Sequence, residues 1–118
     1  MSIVLPNLDA GRARFRRLAA EWKKGTFLSS KIKDKVLHPA YQKIIGMGPS
    51  AVTFILRDLL DNGPNHWFWA LHAITEENPV PADQVGDIVA MTEAWLQWGR
   101  KNGCLEDSPK GTGKRSRR

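Results

Sequence analysis

The stretch that most restricts this chain is Asn65-His66-Trp67-Phe68-Trp69-Ala70-Leu71-His72-Ala73-Ile74-Thr75, where seven of eleven residues are apolar and three are large aromatics. Turn chemistry bounds it on both sides, with Asp61-Asn62-Gly63-Pro64 before and Glu76-Glu77-Asn78-Pro79 after. A short helix apolar nearly all round has to be buried on several sides. The remainder of the chain is therefore what wraps it. With 118 residues there is length for one ordinary domain and not for two.

Helical spacing runs through the rest. Asp9 is a plausible N-cap for a first helix in which Phe15, Leu18, Ala19 and Trp22 fall at i, i+3, i+4 and i+7. Arg12, Arg16 and Lys23 edge that apolar face on one side, Arg14, Arg17 and Lys24 lie towards the other, and Gly25 stops the helix. Between Thr26 and Leu37 two patterns compete. Ser29 and Ser30 would cap a short helix carrying Ile32 and Val36, whereas the alternation of Lys31, Lys33 and Lys35 would suit an edge strand. A helix is favoured, because no second strand exists to pair with it.

His38-Pro39 opens the next helix, with proline where its missing N–H costs nothing. Tyr41, Ile44 and Ile45 follow up to Gly46-Met47-Gly48. Pro49 starts a helix faced by Val52, Ile55, Leu56, Leu59 and Leu60 and stopped at Asn62-Gly63-Pro64. Asn65 is the expected N-cap of the aromatic helix. A last helix from about Asp83 carries Ile88, Met91, Trp95 and Trp98, the tryptophans expected against the aromatic helix, and closes at Asn102-Gly103. The predicted fold is all-α: a compact bundle of five to six short helices over residues 1–107. Residues 108–118 have no apolar side chain and are expected to form a disordered basic tail.

Charge is divided along the chain. Residues 1–43 carry ten Lys/Arg against three acids, residues 44–108 three against nine, and the tail five against none, for a net +6. Such asymmetry bears on partners rather than on fold. No apolar run approaches the ~20 residues that span a bilayer, so no membrane partner is expected. The start, Met1-Ser2-Ile3-Val4-Leu5-Pro6, is not a secretory signal, and the single cysteine, Cys104, excludes a disulfide framework. A reducing cytoplasm is the expected compartment.

Two resemblances follow from these segments. Gly48–Leu60, a polar turn, and Trp67–Ile74 resemble one HEAT-type helical hairpin: a proline-led first helix with a leucine-rich face, then a second reading Ala70-Leu71 and Ile74. The resemblance implies a helical pair at the centre of the bundle, not a solenoid, which needs about three repeats. The pattern His38-Pro39-Ala40-Tyr41-Gln42, Ile45-Gly46-Met47-Gly48, His66-Trp67-Phe68-Trp69-Ala70-Leu71, Asn78-Pro79-Val80 and Trp95-Leu96-Gln97-Trp98-Gly99 resembles a group of small bacterial helical proteins with no assigned activity. It implies a single module of bacterial or phage origin and carries no functional residue over.

Catalytic and metal chemistry find little support. His66 and His72 are six apart, about 240° round a helix, and no i, i+4 histidine pair exists. His38 precedes a proline, where an imidazole satisfies backbone groups. Cys104 has Glu106 and Asp107 nearby, which would raise its pKa. Glu76, Glu77, Asp83 and Asp87 surround the proline-rich loop without a lysine, and two of them suit capping or first-turn positions. Neither Gly46-Met47-Gly48-Pro49 nor Gly111-Thr112-Gly113-Lys114 has the strand–loop–helix setting of a phosphate loop. No catalytic residue, metal site or cofactor is expected.

The primary expectation is a non-enzymatic helical module binding a protein partner, as an adaptor or regulator; an antitoxin or immunity-type protein would be a special case. Trp67, Trp69 and His66 are its candidate contacts, with at least one of the two tryptophans in the core because they point 200° apart. The alternative is a nucleic-acid-associated protein. Its phosphate contacts would be Arg12, Arg14, Arg16, Arg17, Lys23 and Lys24 with Lys110, Lys114, Arg115, Arg117 and Arg118 of the tail. The discriminating observation is whether the arginines of the first helix stand exposed beside the exit of the tail, one continuous positive surface that favours nucleic acid, or pair with Glu76, Glu77, Asp83 or Asp87, which favours the protein-binding module.

Overall fold

A computed structural model of the protein describes residues 4–105 apart from Phe27 and Ser30, with side chains from Ala10 onward. The fold is all-α. Helices α1 (Val4–Thr26), α2 (Ile32–Leu37), α3 (Pro39–Gly46), α4 (Ser50–Asn62), α5 (Phe68–Thr75) and α6 (Ile88–Lys101) follow one another, with a 3-10 turn at Ala82–Gln84 before α6. Among the described residues there is no strand. No helix is long and apolar enough to cross a membrane. The tail residues Lys110, Lys114, Arg115, Arg117 and Arg118 lie outside the described residues.

The predicted faces of α1 and α4 are buried, except that Leu60, expected on the α4 face, is exposed near the end of that helix. Phe15, Leu18, Ala19 and Trp22 of α1 point inward, as do Val52, Ile55, Leu56 and Leu59 of α4. α1 lies against α3 and α4, α3 against α5, α4 against α5 and α6, and α2 against α3 and α1. Their meeting point is Trp67, which has no exposed surface. Its ring is 4.4 Å from Trp22, 5.6 Å from Phe15 and stacked 5.7 Å from Tyr41 (centroid distances). A buried aromatic removes ~150–250 Å² from water, an upper bound of about 4–6 kcal/mol at ~25 cal/mol per Å². The aromatic segment is thus the point on which four helices converge.

Several caps follow expectation. His38 Nδ1 accepts the Ala40 N–H at 3.1 Å and Pro39 occupies the first turn of α3. Gly63, at φ 90°, closes α4 with its N–H on the Leu59 carbonyl. Asp87, four residues beyond the expected start, caps α6 through the Ala90 N–H at 3.1 Å.

Four local expectations are corrected. Asp9 lies inside α1, which already includes Val4, and so is not its N-cap. α2 starts at Ile32 with Lys31 as its cap and no side-chain cap bond; Ser29 instead accepts the Lys31 N–H and donates to Asp34, while Ser30 lies outside the described residues. α6 starts at Ile88, not near Asp83, because Gly86 takes φ 100° and turns the chain. It packs chiefly on α4, although buried Trp95 also edges a cavity with Phe68 and His72 of α5.

Asn65 gives the most instructive correction. Its Oδ1 accepts the adjacent His66 N–H at 2.8 Å, and α5 begins only at Phe68. The exposed-donor problem at the start of α5 is solved from a distance: the Tyr41 hydroxyl accepts the Ala70 N–H at 2.9 Å and donates to the His66 carbonyl at 3.0 Å. Burial raises the Tyr41 pKa far above its usual value, and the hydrogen bond from the Ala70 N–H offsets only part of that rise. The phenol stays neutral and keeps its proton to donate.

Candidate functional site

Burial separates the two candidate tryptophans. Trp67 was a candidate partner contact and is corrected to a core residue: its ring is enclosed and its Nε1 donates to Asp58 Oδ2 at 2.8 Å. Trp69, two positions further on and inside α5, is 58% exposed. It does not stand alone. Ile32 and Val36 from α2, His66 just before α5, Phe68 and Trp69 at its start, Val85 ahead of α6, and Ile88 and Met91 in its first turn line one cavity of about 300 Å³. A second of about 380 Å³ continues from it, sharing Phe68, Trp69, Val85 and Met91 and reaching Val80 and Trp95. Together they make an apolar groove.

Three segments distant in sequence form it. Ile32 and Val36 are four apart and so share one face of α2, yet Ile32 is left 57% exposed. Val85, 65% exposed, is brought over by the turn at Gly86. Sequence reading missed Ile32, Val85 and Met91 as members of a surface; the signal was an apolar residue on short, polar segments that bury little else. His66 lines the groove as well. Its pKa is held below the usual histidine value by desolvation and by the nearby Lys35 charge, so near neutral pH the ring is uncharged.

The basic helix presents a different surface. Arg12, Arg14, Arg16, Arg17 and Lys24 are exposed. Among the described residues the only ion pair joins Lys23 Nζ to Asp58 Oδ1 at 2.9 Å. None of the arginines pairs with Glu76, Glu77, Asp83 or Asp87. Arg12 sits over the Phe54 ring, 5.9 Å from its centroid, and a cleft of about 270 Å³ between α1 and α4 gathers Arg12, Arg16 and Arg57 beside Asp58 and Asp61. Arg57 was not among the expected basic contacts, because it lies in the acidic half of the chain.

The remaining candidates for chemistry have structural duties. His38 caps α3, and His72 makes a 3.0 Å hydrogen bond with the Glu77 carbonyl. Glu76 ends α5 in the left-handed conformation (φ 60°). The Cys104 thiol is raised in pKa, as expected, but burial is the cause shown. Among the described residues no three of His, Cys, Asp and Glu group as metal ligands. A wider depression, about 600 Å³, mixes Gln84, Glu93, Gln97 and Lys101 with Pro79, Pro81, Ala90, Ala94 and Trp98.

Comparison of the chain with protein-family models, curated proteins and solved structures found no match.

Proposed function

We propose that the protein is a non-enzymatic helical binding module whose groove takes an apolar segment of a protein partner, with Trp69 as the anchor. The observation that carries this reading is the placement of a large, more than half exposed tryptophan among Ile32, Phe68, Val85 and Met91. Exposed tryptophans beside apolar pockets are typical binding hot spots, and amphipathic helices dock into such grooves through spaced apolar side chains. The groove's polar members are few, so it suits an apolar side chain better than a polar small molecule.

Photo-crosslinking tests the reading. A photoreactive phenylalanine replacing Val85 in the full chain should join covalently to a protein held in the groove. Trp69→Ala in the same chain should abolish that product. A product unaffected by Trp69→Ala would refute the groove as the contact.

The exposed arginines of α1 support a second reading, contact with nucleic-acid phosphates through Arg12, Arg14, Arg16, Arg17 and Lys24, with Arg57 added from α4. Lys23 contributes less because Asp58 already neutralises it. Binding of DNA and RNA over a salt series, for the full chain and one ending at Ser108, tests this. Each phosphate contact contributes about 0.9 to the log–log salt slope on duplex DNA. Absence of binding by both chains at low salt refutes it.

A further inference from the structure

We propose that the occupant of the Trp69 groove is a second copy of this chain, joined through a two-fold axis. This inference rests on the reading of the groove as a protein-docking surface and identifies the partner. The argument is charge layout around the apolar patch. Beside the groove-lining Ile32 and Val36, α2 and its cap carry the exposed Lys31 and Lys33, while Lys35 turns its Nζ to the Thr26 carbonyl at 3.4 Å. Asp34, the acid on α2, accepts a hydrogen bond from Ser29 at 3.1 Å. The rim formed by residues 83–91 carries Asp83 and Asp87, both exposed, around Val85 and Ile88.

One rim is therefore basic and the other acidic, with Trp69 and Phe68 lining the depression they share. In an isologous interface residue i meets residue j of the partner while j meets i. A two-fold axis through the patch thus sets the lysine rim of each copy against the aspartate rim of the other, twice. Like charges placed directly opposite would disfavour the parallel alternative. The same contact covers Ile32, Trp69 and Val85, which a solitary monomer leaves in water. A foreign helix would need to carry the reversed charge pattern on its own edges; a second copy has it by symmetry.

The test is the mass of the full chain in solution by sedimentation over a wide concentration range. The expected result is a concentration-dependent rise from 13.3 kDa toward twice that mass. Trp69→Ala should raise the dissociation constant tenfold or more while leaving the helical circular dichroism signal unchanged. Lys33→Glu and Asp83→Lys should each weaken association several-fold alone. An equimolar mixture of these two variants should restore it, because Glu then faces Lys at one rim and Asp faces Lys at the other. A monomer at every concentration, or a dimer indifferent to Trp69→Ala and to the charge exchange, overturns the proposal. The crosslink from position 85 separates the two levels of inference. A product with a different protein and none of doubled mass overturns the second copy but leaves the docking surface. A monomer with no intermolecular product at all removes both.

Discussion

The indole of Trp67 and the carboxylate of Asp58, nine residues apart, are joined by a 2.8 Å hydrogen bond at the edge of the core. Asp58 also accepts from Lys23 Nζ at 2.9 Å and from Asn62 Nδ2 at 2.7 Å, so one side chain links α1, α4 and the start of α5. Asp58→Ala leaves the enclosed indole N–H without an acceptor and should cost about 2–3 kcal/mol. Lys23→Ala should cost less than about 1 kcal/mol, because its ammonium is partly exposed and solvent screens the pair. Urea unfolding of both variants checks this; equal losses would show that the ion pair, not the indole bond, dominates.

Tyr41→Phe keeps the stacked ring and removes the hydroxyl that serves Ala70 N–H and His66 carbonyl. The expected loss is about 1–3 kcal/mol, the usual cost of buried polar groups left unpaired. Amide exchange at Ala70 should accelerate more than at residues in the middle of α4. Unchanged protection there would remove the hydroxyl as the cap of α5.

Two glycines should respond oppositely to alanine. A Cβ at Gly99 would stand 2.7 Å from Leu56 Cδ1 and 3.3 Å from Leu105 Cδ1, whereas one at Gly46 meets nothing within 4 Å. Both are helical. Gly99→Ala should destabilise by about 1–3 kcal/mol through overpacking. Gly46→Ala should be neutral or stabilise by up to about 1 kcal/mol, through reduced freedom of the unfolded chain. Thermal melts of the two variants give the comparison directly.

His66 predicts a pH dependence. Its folded pKa lies below the ordinary value, with desolvation the larger cause and Lys35 the lesser. The unfolded chain therefore binds more protons as pH falls below about 6.5, so stability is full above that value and declines on the acid side. His66→Gln should flatten part of that decline, since the backbone bonds at position 66 are kept. Unfolding midpoints measured between pH 5 and pH 8 for both chains test the sign; a wild-type protein that gains stability on acidification, with His66→Gln losing that gain, contradicts it.

Much of the fold was legible because it rests on local spacing. The i, i+3, i+4, i+7 faces of α1 and α4 and the proline-led start of α3 each depend on residues within a few positions of one another. Legibility ended where partners came from afar. Asn65 is a good cap by type, but Tyr41, a whole helix away, takes the duty because α3 lies against α5. The candidate surface was read in part. Trp69 and His66 do line the groove, while Trp67 does not, and Ile32, Val85 and Arg57 were found only by proximity in space.

The sequence by itself determined that the chain is helical, that residues 65–75 must be wrapped, and that Trp67 and Trp69 point to opposite sides. Those are consequences of side-chain period and apolar content, which any packing has to respect. Tertiary structure decided which tryptophan turns inward, because that depends on Trp22, Tyr41 and Phe15 closing on one side of α5. The opposite side was left to α2 and the 83–91 segment, too short to cover it. A groove remains there.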